Sequence, residues 1–567
     1  MAKETYTPPQ RFWKLLKPDA REIRNIYTYA VFSGLVSLSL PLGIQAIINL
    51  IQGGKVSSAW IVLVFFVVFG IAVNGLLQVY QLRISENLQQ KIFTRAAFEF
   101  AHRIPRIKVS EMYSKYAPEL MNRYFDVMNI QKGLSKILIS ISTAGIQVLF
   151  GLILLSLYHS FFILYSVFLV LLVYFIFKIT ARRGLKTSLI ESKYKYELGH
   201  WLEEVARTAN TFKLAGETDL NLTKSEKSVE KYIQAREDHF KVLVQQYSLL
   251  VLFKVVVAAG LLAVGGILVM EQVMNIGQFV AAEIIILMVI SSVEKLIVSL
   301  DVVYDTLTSL EKVGQVTDLE LENDDGMDIR SELDGGGMNI DMRKLNFKYP
   351  HGHKYVLKDI ELSIKAGERL LVSGKNGSGK STLLHVLAGL YELDEGSITY
   401  QGIPIKGIAL STLRSVIGTC LDREEIFQGT LTENITIGRP SANFSDVKWA
   451  IKNLGLEEFV KELPNGYETV IEPYGHTLSR SVIQKITIAR AIVDRPRVLL
   501  FEYTFEHIDV EEKTKIIDFL VDKKHPWTIV ASSKDKMLAE RFDRVIIMDN
   551  GKITKNGTYE ELKNDFE

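Results

Sequence analysis

Gly374-Lys375-Asn376-Gly377-Ser378-Gly379-Lys380-Ser381-Thr382 has the form GxxxxGK[ST], and it stands between an apolar run, 369–372, and a helical-looking stretch, 383–390. Glycines at three of these positions admit backbone conformations closed to other residues, so successive N–H groups and the positive end of a helix converge on phosphate oxygens. Lys380 adds a point charge for the outer phosphates, and Ser381 offers a hydroxyl to Mg²⁺. A glycine-rich surface turn is the bland alternative, but such turns rarely bring strand, glycines, Lys-Ser and helix in this order. The stretch predicts a nucleotide-binding α/β domain in which all nine residues form the phosphate loop.

Outward from the loop, the chain of 567 residues is long enough for several domains, and 66 basic against 65 acidic residues argue against a nucleic-acid or polyanion partner. The apolar excess is concentrated in the first 300 or so residues. Long apolar runs occur at 26–51, 60–82, 137–158, 161–179, 249–270 and 279–298. Each is close to the ~20 residues that a helix needs to cross ~30 Å of hydrocarbon. They predict an all-α polytopic domain of six membrane helices in a lipid bilayer. The first run is too long for a signal-peptide core and is expected to stay as a span.

Basic residues Lys14, Lys17, Arg21 and Arg24 precede the first run, and Arg83, Lys91, Arg95, Arg103, Arg106 and Lys108 follow the second. The charge bias places those segments in the cytoplasm, which makes three hairpins with both termini inside. Polar connectors at 83–136 and 180–248 carry apolar residues every three or four positions, as at Ile92, Ala96 and Phe100. That period predicts membrane helices that continue into the cytoplasm. Asn74, Gln147, Lys254 and Glu283 are the polar side chains within or near the spans that a cargo pathway would use.

An acidic, glycine-containing stretch at 318–337 reads as a linker. The domains are then 1–25, a cytoplasmic segment; 26–317, the membrane domain; the linker; and 338–567, the nucleotide-binding domain. Strand-like runs at 498–501 and 528–531 alternate with helical stretches, as in an α/β sheet. The lone Cys420 excludes an intramolecular disulfide and a cysteine-rich metal site.

Six spans, helical extensions and a C-terminal phosphate-loop domain together resemble an ABC exporter half-transporter of the type I secretion or peptide-export kind. Stretches 117–131 and 208–219 look like the family's first and second coupling regions. Phe347-Lys348-Tyr349-Pro350 stands where that family has its aromatic loop, so the resemblance makes Tyr349 the ring that stacks on adenine. Asp422 replaces the family's loop glutamine. The signature LSGGQ corresponds to Leu478-Ser479-Arg480-Ser481-Val482, which keeps Ser479 and puts Arg480 where a glycine would approach phosphate. Glu502 stands for the Mg²⁺-associated aspartate, Tyr503 for the catalytic glutamate, and Ser533 for the switch histidine. Asp509 keeps the acidic residue of the D-loop.

A phenol is a poor base near neutral pH, and losing a general base typically removes about 10²- to 10⁴-fold in rate. The resemblance therefore implies a subunit that binds ATP with Mg²⁺ and hydrolyses it weakly or not at all. It implies a homodimer, or a heterodimer with a second half-transporter, in a bacterial inner membrane with the nucleotide-binding domain cytoplasmic. Two alternatives stay open: a nonhydrolytic ATP-binding scaffold, with periplasmic export components as partners, and an active homodimeric ATPase with substituted catalytic groups. Peptide, protein, lipid and drug cargo are not distinguished.

Overall fold

Each apolar run falls on one long helical run, Pro8–Gln52, Ser58–Arg106, Ala117–Ser156, Ser160–Arg207, Leu220–Met270 and Ile276–Thr317, the third run alone reaching two residues past its helix. These come from a computed structural model that describes residues 6–53, 58–113, 115–333, 335–421, 426–475 and 477–565. The helices outgrow their apolar cores. Ser58–Arg103 has 46 residues and Ser160–Arg207 has 48. At 1.5 Å per residue each reaches about 70 Å, more than twice a hydrocarbon core. The polar connectors are thus mostly helical, as their periodicity predicted.

The first run is broken where its sequence requires it. Helix Ala20–Ser37 stops at Leu38, and Ser39–Gln52 starts anew with Pro41 in its first turn, where a missing N–H leaves no hydrogen bond unmade. Close approach of the helices depends on small residues. Gly184 packs under the ring of Tyr304, and a Cβ there would come within 2.3 Å of it. Leu155, Phe162, Leu250, Phe253, Ile285 and Val289 form the buried centre of this helical unit. Asn74 accepts a hydrogen bond from Ser33 at 2.5 Å, and Gln147 accepts one from Ser292 at 3.1 Å. These two amides tie neighbouring helices together.

By contact density the chain divides into two units: 1–105 with 115–319, and 106–114 with 320–567. The second is the α/β part. Its six-stranded sheet runs in the order Lys552–Gly557, Arg544–Asp549, Arg369–Gly374, Thr528–Ser532, Val498–Glu502, Ile417–Cys420. All neighbours pair in parallel except the edge strand Lys552–Gly557. The three central strands are buried along their whole length, which suits their unbroken apolar sequences and a sheet covered on both faces. A smaller antiparallel sheet orders Leu357–Ile364, Ile340–Phe347, Glu395–Tyr400 and Ile403–Pro404.

The acidic stretch before this domain is anchored to it. Glu322 holds Arg414 through two contacts of 2.6 and 2.9 Å, and Ile329 is fully buried among Met338, Leu384 and Leu413. Residues 106–113 also belong to the α/β unit: Ile107 bridges Leu321, and Lys108 reaches Glu320 at 2.6 Å and Glu392 at 2.9 Å. Of the stretches expected to couple the domains, 117–131 therefore lies in the helical unit, just beyond the segment that the α/β unit incorporates.

Candidate functional site

Strand Arg369–Gly374 ends at the carboxyl edge of the parallel sheet and feeds directly into helix Lys380–Leu387, so the loop between them opens where ligands of such sheets sit. Gly374 has φ +141°, and a Cβ on it would lie 2.2 Å from the carbonyl oxygen of Met548. Gly379 caps the helix at φ +102°. Only glycine satisfies both positions at no cost.

Lys380 is buried and curls back over the loop, its Nζ donating to the carbonyls of Gly374 at 2.8 Å and Lys375 at 2.9 Å. Burial pushes its pKa below the ordinary lysine value, Lys534 pushes the same way, and Glu502 opposes. Ser378 is buried beneath the loop, its hydroxyl without a hydrogen-bond partner among the described residues. Asn376, Gly377 and the run Gly379 to Thr382 line a cavity of about 700 Å³ together with Tyr349 and Tyr503. The sequence-predicted loop, aromatic residue and catalytic-position residue thus meet around one space.

Tyr349 crosses the mouth of the loop, its hydroxyl 2.8 Å from that of Thr382. Phe347 and Tyr391 meet its ring edgewise at 5.2 and 5.5 Å, and Tyr113 stacks on it. Tyr503 has φ +48°, a left-handed conformation that a bulky side chain enters at a cost of about 1–3 kcal/mol. Its N–H donates to Ser532 at 3.1 Å, and the Lys380 ammonium stands 6.0 Å from its ring centre.

Other predicted residues lie elsewhere. Glu502 is only 4% exposed and does not line the cavity; His385 Nε2 stands 3.4 Å from its carboxylate. Ser533 is buried and accepts the N–H of Asp535 at 3.0 Å. Ser479 caps helix Arg480–Ile492 by accepting from Val482, which leaves Arg480 exposed at the helix start, and Asp509 is the exposed residue before helix Val510–Leu520. None of Ser479, Arg480, Asp509 and Ser533 lines the cavity among the described residues. Asp422 lies outside the described residues.

Mg²⁺ finds a reduced donor set here. Ser381 faces the cavity, but the carboxylate expected to join it is turned to His385 and does not line it, which leaves Glu506 as the carboxylate on the cavity wall among the described residues. The fit is poor. Besides the apolar Val356, sequence reasoning passed over two charged residues that line the cavity, Lys534 and Glu506. Their signal was positional: each follows a strand of the sheet whose carboxyl end adjoins the phosphate loop.

Fold and site together define a membrane protein that carries a phosphate-loop nucleotide-binding domain. Residues 25–293 match the family model "ABC transporter transmembrane region", and 357–502 match the model "ABC transporter". The chain belongs to the ABC transporters, as an exporter-type half-transporter. It is 31% identical over 289 residues to the uncharacterized ABC transporter ATP-binding protein YwjA of Bacillus subtilis (strain 168), covering 51% of this chain and 50% of that one. It is 29% identical over 298 residues to the alpha-hemolysin translocation ATP-binding protein HlyB of Escherichia coli O157:H7, covering 53% of this chain and 42% of that one. The chain thus spans about half the length of the curated relatives it matches. A solved bacterial Atm1-family ABC exporter with ATP bound superposes with TM-score 0.80 over 96% of both chains at 17% identity, a likeness of fold.

Proposed function

We propose that this chain is a subunit of a dimeric exporter that holds ATP in the 374–382 loop and uses nucleotide-dependent closure of the pair to switch cargo access across a bacterial inner membrane. Its own hydrolysis is slow or absent. The termini and the α/β unit face the cytoplasm in this reading, as the basic residues flanking the first two spans require.

The observation that carries the weak-hydrolysis reading is the end of strand Val498–Glu502. There the carboxylate of Glu502 is buried against His385, and the next side chain toward the phosphates is the phenol of Tyr503. Water attack on a terminal phosphate needs a group that orients or deprotonates the water, and a phenol near neutral pH does neither well. Tyr349 supplies the adenine platform, the loop amides with Lys380 grip the phosphates, and Ser479 with Arg480 of one subunit face the nucleotide of the other. ABC domains generally take ATP with Mg²⁺.

A second reading rests on Glu506, the one carboxylate that lines the cavity among the described residues. In that reading Glu506 serves as the base and the chain is an active ATPase. The test is direct: purify the full chain in nanodiscs and compare ATP retention with phosphate release. Retention with release below about 0.1 s⁻¹, against a median enzyme turnover near 10 s⁻¹, supports the first reading. Fast release that Lys380→Ala and Glu506→Gln both abolish overturns it in favour of the second.

A further inference from the structure

Two ammonium groups face the cavity, Lys380 and Lys534. Strand Thr528–Ser532 pairs in register with Arg369–Val372, Ser532 opposite Val372, so the residue two positions beyond Ser532 arrives at the same sheet edge as the phosphate loop. Lys534 is exposed there and makes no hydrogen bond or ion pair among the described residues. The adjacent carboxylate does not neutralise it, because Asp535 is held by Lys513 at 2.8 Å and caps its own helix through Met537. Glu506 shares the cavity wall without coming into ion-pair contact with Lys534.

Like charges held around an open space repel one another, and a polyanion placed between them relieves the repulsion. Burial first and Lys534 after it push the pKa of Lys380 down, in line with two cations on one cavity wall. Of the two residues expected to hold Mg²⁺, Ser381 lines this cavity and Glu502 does not, its buried carboxylate being turned to His385. An ordinary solvated lysine would need neither the position on the wall nor a neighbour of like sign.

We propose that Lys534 is a second phosphate-binding cation of this site: it contacts the terminal phosphate of a nucleoside triphosphate and takes over charge compensation that a bound divalent cation would otherwise supply. This deepens the ATP-binding reading and rests on it. Two consequences follow from the geometry. Triphosphate affinity depends on Lys534 more than diphosphate affinity does, and removing the metal costs little affinity while Lys534 is present.

The test measures equilibrium binding of ATP, ADP and AMP to the full-length chain in nanodiscs, with Mg²⁺ and with EDTA. Wild-type protein is expected to keep its ATP affinity in EDTA to within about threefold. Lys534→Met is expected to lose about tenfold for ATP in EDTA, as for one charge-assisted hydrogen bond, and to leave AMP binding unchanged, with Lys534→Arg recovering most of the loss. Unchanged ATP binding by Lys534→Met overturns the proposal, and so does an equal loss for all three nucleotides. Lys380→Ala separates the two claims. If it abolishes ATP binding while Lys534→Met does not weaken it, only the second cation falls; if wild-type protein binds no ATP, the underlying reading falls with it.

Discussion

Tyr113 lies almost parallel to Tyr349, with ring centroids 5.3 Å apart and planes inclined by 18°. The two are separated by more than 230 positions in the chain, yet both belong to the α/β unit, because Lys108 and Ile107 stitch the 106–113 segment to residues 320 and 321. One face of the proposed adenine platform is therefore covered by the segment that joins the second and third membrane spans, and the base has the other face. Stacked aromatic pairs contribute about 0.5–1.5 kcal/mol beyond their buried area. Tyr113→Ala is expected to weaken ATP binding by roughly two- to tenfold through loss of that support, and to leave tripolyphosphate binding unchanged. Calorimetric titration of both ligands checks it; a matching loss for tripolyphosphate would point to general damage to the loop.

Lys254 of the fifth span and Glu294 of the sixth form an ion pair at 2.8 Å. Charged side chains in spans are costly unless paired, so each residue needs the other. Breaking one partner leaves an uncompensated charge, whereas removing both leaves none. Lys254→Met and Glu294→Gln are each expected to lower the melting temperature of the detergent-purified chain, and the double variant to recover at least half the loss. The coupling should reach about 1 kcal/mol or more in a double-mutant cycle. Simple additivity of the two losses would show that the pair is solvated.

His525 is stacked against Trp527, centroids 4.5 Å apart, with Phe519 edgewise at 4.8 Å. Burial among these rings holds its pKa below the ordinary histidine value. A histidine depressed in the folded state binds its proton more readily when unfolded, so its effect on stability is absent above the unfolded pKa near ~6.5 and grows unfavourable as pH falls below it. The α/β unit is expected to lose thermal stability between pH 7 and pH 5, and His525→Phe to flatten that slope. Parallel melting curves of the two proteins across the range would assign the acid loss to other groups.

Spans, strands and the phosphate loop were legible because each is written in local pattern. Runs of apolar residues give the helices their length, unbroken apolar strands give the buried sheet, and glycines at 374 and 379 announce backbone angles that nothing else adopts. What stayed hidden depends on contacts distant in sequence. Asn74 and Gln147 have partners in Ser33 and Ser292 that their own segments do not announce. Glu502, which the resemblance assigns to the metal, has His385 beside it from helix Lys380–Leu387, a neighbour that no local pattern announces. Tyr113 carries no local mark at all, because its role is set by which unit the 106–113 segment joins.

Whether one residue sets the proposed weak hydrolysis is decided at Tyr503. Its backbone is left-handed, its ring lines the cavity, and the Lys380 ammonium lies 6.0 Å from the ring centre. Tyr503→Glu places a carboxylate in this position but not in the circumstances a base requires. The new side chain inherits the same strained backbone, and a nearby ammonium lowers a carboxylate's pKa, which weakens it as a base. Ser533, which the resemblance sets near the switch-histidine position, has its hydroxyl on the N–H of Asp535, and Glu502 remains turned to His385. Tyr503→Glu is therefore expected to raise single-turnover phosphate release by less than about tenfold, well short of the 10² or more that a well-placed base contributes. Adding Ser533→His should increase release further, because it restores a second group able to contact the terminal phosphate. Recovery to about 1 s⁻¹ or faster by Tyr503→Glu alone would show that the rest of the site is competent and that the phenol is the sole lesion.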